Sequence, residues 1–339
     1  LTVMKILDTD VLIIGAGPVG LFSVFELGQL GIRSHLVDSL DEIGGQCSAL
    51  YPDKPIYDIP AYPNITAGEL ISKINTQISP FKPTIDLGQK VNKLIKKKEG
   101  FYVETSNQKK INAKCIIIAA GNGAFGPNKP PMKNINEYEK KSLHYSVLNK
   151  SVYKNKTLAI AGGGDSAVDW AIELSDITKK IFFIHRRTKL RAAPNNVEKL
   201  FKLADDGKVE MIIPYQLDSI EGANGYIKNL NVKNLDNKII SLKIDFLLPF
   251  FGLSSDLGPI KDWELQIKNN TLTVDQSTCQ TSNKGIYAIG DVCNYPGKLK
   301  LILTGFSEAA IAAHSCYNKI FPNKSLHFEY STSKGIKKI

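Results

Sequence analysis

No two cysteines of the 339 residues form a C-x-x-C pair: Cys47, Cys115, Cys279, Cys293 and Cys316 are dispersed, with no metal-type spacing. An odd, scattered set argues against a disulfide framework or a structural zinc site and suits reduced thiols in a reducing compartment. Long apolar runs are missing too. The nearest approach, close to the N-terminus, is broken by Pro18, three glycines and Glu26 and carries no cleavage site, so neither a membrane span nor a signal peptide is expected and the protein is read as cytoplasmic. Acidic residues are outnumbered, 33 against 43 Lys and Arg, for a net charge of +10. That excess is either a solvated lysine-rich surface or a field that draws in an acidic partner. No basic run is interleaved with aromatics, so nucleic acid is not an expected partner. A 43% hydrophobic and 22% charged composition is that of a globular protein, and the length allows two domains with separate cores.

What is present starts with residues 11–38, VLIIGAGPVGLFSVFELGQLGIRSHLVD. Residues 11–14 read as a buried parallel strand and residues 21–30 carry a helical apolar pattern. Between them Gly15, Gly17 and Gly20 form G-x-G-x-x-G, with Pro18 inside the turn. Gly15 permits the tight turn, Gly17 lets backbone approach a pyrophosphate, and Gly20 allows close helix-to-strand packing. Asp38 ends the second strand, where a carboxylate binds ribose hydroxyls and repels a 2′-phosphate.

The arrangement returns 147 residues later. A strand leads into Gly162, Gly164 and Ala167 in G-x-G-x-x-A, with Asp165 and Ser166 inside the motif, and a helix follows. Two such motifs indicate an internal duplication with a ligand for each copy. The strand after the second copy ends in no acid. Arg186 and Arg187 stand where Asp38 stands in the first copy, with Arg191 a turn later. Guanidinium groups pair bidentately with a 2′-phosphate. The first cradle is therefore expected to take FAD or NAD, and the second NADP. His185 is placed on the rim of that phosphate pocket.

Residues 39–65 contain Gly44-Gly45-Gln46 and a Pro- and Tyr-rich passage, which predicts a long irregular loop of functional use. Residues 66–76 read as a helix with a Thr66/Glu69 capping box. The Glu99-Gly100 turn signals a β-hairpin or meander. Residues 115–121, CIIIAAG, read as a buried strand. Residues 126–150 look like a hinge into a second domain, and residues 244–253 like the return. An apolar strand then runs into Gly290-Asp291.

The loop with Gln46, Tyr51 and YDIPAYP resembles the flavin-binding loop of ferredoxin:NADP reductases of the thioredoxin-reductase-like type. The likeness covers almost the whole chain, its markers in order. Where thioredoxin reductases carry their redox C-x-x-C, this chain has HYSVLN, with Ser146 and Asn149 in place of the thiols. No dithiol relay is possible without two sulfurs in reach. The resemblance implies an α/β fold of two Rossmann-like nucleotide-binding domains. Residues 1–125 and 254–339 would form the FAD domain, and residues 126–253 an inserted NADPH domain. It implies that Gln46 contacts the flavin ring system and Tyr51 stacks on it, that Val91 offers a backbone contact, that Phe125 touches the flavin, and that Asp291 meets the ribityl chain. It implies further that Tyr330 covers the other flavin face and Thr332 places a hydroxyl near the reactive nitrogen, from a tail that a homodimer would permit a neighbouring subunit to supply. The implied activity is exchange of a hydride with NADP(H) and of single electrons with ferredoxin, an acidic iron–sulfur protein, or flavodoxin. The cofactor carries the chemistry, so no catalytic acid, base or nucleophile is expected. Another NADPH-dependent flavin reductase or oxidase, or a non-catalytic flavin-binding regulator, would share these motifs.

Overall fold

The structure, a computed structural model, describes residues 6–139, 141–326, 330, 332, 335 and 336. The chain divides into two compact units, residues 1–125 with 255–339 and residues 126–254. The segments at the two crossings, Ala124–Pro127 and Leu253–Asp256, are strands that pair with each other.

In the first unit a mixed sheet runs in the order Thr84–Asp86, Ser34–Val37, Leu7–Ile14, Lys110–Ile118, Gly100–Thr105, Val91–Lys97, with Ile286–Ala288 added beside Lys110–Ile118. The strands from Thr84–Asp86 to Lys110–Ile118, and Ile286–Ala288, are parallel; the other two form an antiparallel meander. Alternation decides the two faces. Val11, Ile13, Cys115 and Ile117 face the helices Pro18–Gln29, Ala67–Ile78 and Ile302–Ile320, whereas Leu12, Ile14, Ile116 and Ile118 pack with Phe101, Val103, Trp263 and Leu272. The register puts Ile14 opposite both Val37 and Ile118, and Ile118 opposite Ala288. Four strands thus end at one level, so the residues that follow them open onto one place, where parallel sheets bind ligands.

Local signals explain the elements. Thr66 caps Ala67–Ile78: its hydroxyl accepts from the Glu69 N–H and the Glu69 carboxylate accepts from the Thr66 N–H. The passage expected to be wholly irregular departs from that expectation. It contains a one-turn helix, Gln46–Ala49, and a minimal strand pair, Pro55–Ile56 with Ile65–Thr66. After the strand Ile286–Ala288, Gly290–Val292 is a single 3-10 turn, and the next α-helix begins at Ile302.

The second unit repeats the parallel core in small: Val209–Ile212, Lys180–Ile184, Thr157–Ala161 and Phe246–Pro249, with helices Asp165–Leu174 and Pro194–Asp205. A three-stranded antiparallel sheet, Gln216–Ala223, Tyr226–Lys233 and Ile239–Lys243, completes it.

One buried cluster makes the fold sensitive to acid. His35 Nε2 lies 2.8 Å from one oxygen of Asp86, and Lys109 holds the other. Burial keeps the His35 imidazole below its ordinary 6.5 despite the attraction of Asp86. Burial also works to raise the Asp86 carboxyl, but hydrogen bonds from Lys109 and His35 outweigh it and leave the group below its ordinary value. Well above pH 6.5 the histidine is neutral in both states; as pH falls toward and below 6.5 the unfolded state takes up the proton first, so stability is lost until pH has passed the depressed folded value. The urea midpoint should therefore drop between roughly pH 7 and pH 5. His35→Gln, whose amide can still donate to Asp86, should flatten that drop; parallel curves for variant and wild type would count against this account.

Candidate functional site: two glycine cradles

A cleft of about 370 Å³ opens at the carboxyl ends of the first unit's parallel strands. Gly15, Gly17, Pro18, Asp38, Gln46, Tyr51, Val91 and Asp291 all line it. The three glycines of its turn do different work. A Cβ at Gly15 (φ 110°) would meet the Ala119 carbonyl oxygen at 2.3 Å, and one at Gly20 would meet that of Gly15 at 1.9 Å. At Gly17 a Cβ would meet nothing within 4 Å, so this residue borders space kept for something else. The loop after Asp38 is laced to the turn: the Gly44 N–H donates to the Ala16 carbonyl at 2.8 Å, and a Cβ at Gly45 would stand 3.1 Å from Gly17 Cα. This brings Gln46, first residue of its one-turn helix, to the cleft wall.

Buried Asp38 accepts the Ala16 N–H at 2.5 Å on one oxygen and the Leu40 N–H at 2.8 Å on the other. Burial raises its carboxyl, and those backbone donors offset part of the rise. Each oxygen keeps further lone-pair capacity, so the carboxylate is aimed and can still take ribose hydroxyls. Tyr51 is half-buried, its hydroxyl 3.9 Å from Cys47 Sγ; burial pushes the phenol far above its ordinary range, leaving a neutral ring on the wall. Leu301 and Ile302, at the start of the Ile302–Ile320 helix, close another side. That helix packs tightly on Pro18–Gln29, since a Cβ at Gly305 would meet Val19 Cγ2 at 2.3 Å.

Residues 257–263, which carry no motif, supply Leu257, Gly258, Pro259, Ile260 and Trp263 to the cleft. A tryptophan, one of two in the chain, just after the return to the first unit was the available signal. The Phe125 side chain lies outside the described residues. Tyr330 is 70% exposed, and neither Tyr330 nor Thr332 is among the described residues that line this cleft.

The second cradle repeats the geometry. A Cβ at Gly162 would meet the Phe250 carbonyl oxygen at 2.6 Å, while one at Gly164 would meet nothing within 4 Å. Ala167, fully buried, takes the place of the third glycine. The segment carrying the arginines is strapped to this turn at three points. The Arg191 N–H donates to the Gly163 carbonyl at 2.6 Å, the Ala193 N–H donates to the Asp165 carboxylate at 2.8 Å, and the His185 ring lies against Gly163. Arg186, Arg187 and Arg191 are exposed beside the turn, as are Asp165 and Ser166 at the start of the helix. Asp165 therefore braces the arginine segment. His185 Nε2 is buried with no hydrogen-bond partner among the described residues. Burial first, then the three arginines, keeps its imidazole below the ordinary range, so it is neutral at pH 7 and is not itself an anion-binding charge.

Both cradles thus leave their middle glycine facing open space, the fit expected for a diphosphate approaching backbone N–H groups at a helix start. All five cysteines are free and buried, and no metal-holding cluster occurs among the described residues. Fold and cradles together define an oxidoreductase of the two-dinucleotide α/β class. The chain belongs to the pyridine nucleotide-disulphide oxidoreductase family, whose profile matches residues 9–313. It is 53% identical over 327 residues to a protein named ferredoxin--NADP reductase from Rickettsia akari (strain Hartford), covering 96% of this chain and 98% of that one. A protein of the same name from Rickettsia bellii (strain OSU 85-389) matches with equal identity and coverage. Among solved structures, T. acidophilum thioredoxin reductase superposes with a TM-score of 0.76 at 23% identity, over 92% of this chain and 98% of that one. Lactococcus lactis thioredoxin reductase gives 0.76 at 24%, over 93% and 99%. At such identities these two speak for the fold. No helix among the described residues is long and apolar enough to cross a membrane.

Proposed function

We propose that the protein is a ferredoxin:NADP⁺ oxidoreductase using FAD and NADP(H). The observation that carries this is an asymmetry: an aimed carboxylate, Asp38, stands at the first cradle, three arginines strapped to the glycine turn stand at the second, and no C-x-x-C is present. The first unit is assigned to FAD and the second to NADPH. Gly15, Gly17, Pro18 and Gly20 would seat the FAD diphosphate and Asp38 its ribose. Gln46, Tyr51, Val91 and Asp291 would contact the rest of FAD, with Phe125, Tyr330 and Thr332 assigned to the flavin from the family pattern. Gly162, Gly164, Asp165, Ser166 and Ala167 would seat the NADP(H) diphosphate, and Arg186, Arg187 and Arg191 its 2′-phosphate.

When bound, the flavin supplies the change from a two-electron hydride to single electrons. The chain's own residues bind, orient and keep water out. The neutral Tyr51 ring offers an apolar face, and Trp263 and Ile260 dry the cleft. A tail donated by a neighbouring subunit of a homodimer would bring Tyr330 and Thr332 to the flavin, and the cytoplasm is the proposed compartment.

The deciding experiment is an anaerobic NADPH titration of the purified protein, followed by cytochrome c reduction with and without added ferredoxin. Bleaching of the flavin by NADPH and reduction of cytochrome c that requires ferredoxin are the expected results. A flavin unchanged by NADPH would leave a non-catalytic binding protein. Rapid turnover with oxygen or quinone and none with ferredoxin or flavodoxin would point to a different reductase. Because the chain carries +10 and ferredoxins are typically acidic, the ferredoxin-dependent rate at sub-saturating ferredoxin should fall as salt rises from about 0.01 to 0.3 M. A salt-independent rate would remove the role given to that charge.

A further inference from the structure

The Gly290-Asp291 wall of the first cleft is tied to the helix behind it by a buried ion pair that belongs to neither cradle motif. Glu308, in the middle of Ile302–Ile320, and Lys298, in the segment leading to that helix, have side chains only 3% and 4% exposed. One Glu308 oxygen takes the Lys298 ammonium and the Tyr295 hydroxyl, the latter at 2.6 Å. The other accepts the Gly290 N–H at 2.7 Å and the Cys293 thiol at 3.5 Å. One carboxylate therefore gathers four donors from residues 290–298. The two ends of that segment run straight into the cleft: Asp291 follows Gly290, and Lys300, Leu301 and Ile302 follow Lys298.

As a source of stability this arrangement is a poor choice, since a buried ion pair is often no better than apolar side chains of like volume. It does well at specifying direction. Gly290 sits at φ 76°, and its N–H aimed at Glu308 fixes the plane of the Ile289–Gly290 peptide, one residue before Asp291. No apolar residue could hold that peptide, the Tyr295 hydroxyl and an ammonium group at once.

We propose that Glu308 and Lys298 are positioning residues, a clamp that holds Asp291 and the first turn of Ile302–Ile320 in the geometry that retains the flavin. This rests on the assignment of FAD to the first cleft. Removing one charge leaves the other buried and uncompensated, whereas removing both does not. The two sites must therefore be coupled.

The test is the rate of FAD release from the holoenzyme, followed by the rise of flavin fluorescence after dilution, with circular dichroism and the urea midpoint recorded on the same samples. Glu308→Gln and Lys298→Met should each release FAD roughly tenfold faster than wild type while still folded, and the double variant should recover a large part of that loss. Unchanged release in both single variants, a double variant equal to the sum of the singles, or FAD loss that appears only at the urea concentration of unfolding would each overturn the clamp. If the charge variants do not fold, Tyr295→Phe carries the test: it removes one donor and keeps the pair, release should rise about threefold, and an unchanged rate overturns the proposal. Wild-type protein that holds no FAD would sink the functional reading and the clamp with it. Wild type and variants that hold FAD equally well would sink the clamp alone.

Discussion

Protein in which Arg186 and Arg187 are both alanine is expected to lose roughly a hundredfold or more in kcat/KM for NADPH, while kcat/KM for NADH stays within about threefold of wild type. Hydrogen bonds from a charged donor to a charged acceptor contribute about 1.5 to 3 kcal/mol each, so two arginines together account for at least two orders of magnitude. NADH presents no 2′-phosphate to either guanidinium and has nothing to lose. The substitutions should leave the fold alone, because both side chains are exposed and the segment is braced through the backbone of Arg191 and Ala193. Arg→Lys at both positions should fall between, since an ammonium keeps the charge and loses the fork. Steady-state kinetics with both cofactors checks this. Equal losses with NADPH and NADH would mean that the arginines shape the loop and do not read the phosphate.

The second large effect separates two glycines three residues apart. Gly17→Val should give a folded protein that carries essentially no FAD, whereas Gly20→Ala should give a protein that is damaged in folding. Gly17 has φ −70° and ψ −179°, a conformation open to any residue, and a Cβ there meets no protein atom within 4 Å. Its side chain would fill only the space kept for the diphosphate. Gly20 is buried in the first turn of Pro18–Gln29, where even one methyl would meet the Gly15 carbonyl oxygen at 1.9 Å. Forcing that contact apart costs on the order of 3 kcal/mol or more of stability. The ratio of flavin to protein absorbance, read beside circular dichroism and the thermal midpoint, distinguishes the two. By the same reasoning Gly164→Val should retain FAD and fail to bind NADPH. A Gly17→Val protein that kept its flavin would show that the open face of the turn is not where the diphosphate sits.

Much of the site could be read in advance because its demands are local. A strand that must turn sharply into a helix needs glycine at positions 15 and 20 whatever the rest of the chain does, and the backbone crowding at both agrees. The Thr66/Glu69 capping box is of the same kind, since both hydrogen bonds span three residues. The loop of residues 39–65 is the counter-example. Its glycines and prolines suggested irregular chain throughout, but backbone contacts of Gly44 and Gly45 with Ala16 and Gly17 hold it in place. Those partners lie far away along the chain, and nothing in the local composition announces them.

Read along the chain alone, the residues show two glycine turns, a carboxylate at the end of the strand after the first, guanidinium groups at the end of the strand after the second, and no C-x-x-C pair, because each depends on residue type at a fixed spacing. Only folding decides that residues 257–263 join the first cleft, that Asp165 braces the arginine segment, and that Glu308 gathers Lys298, Tyr295 and Gly290 around one carboxylate. These pairings depend on strand register and on a helix packed behind the sheet, and such nearness in space leaves no periodic mark in the order of residues.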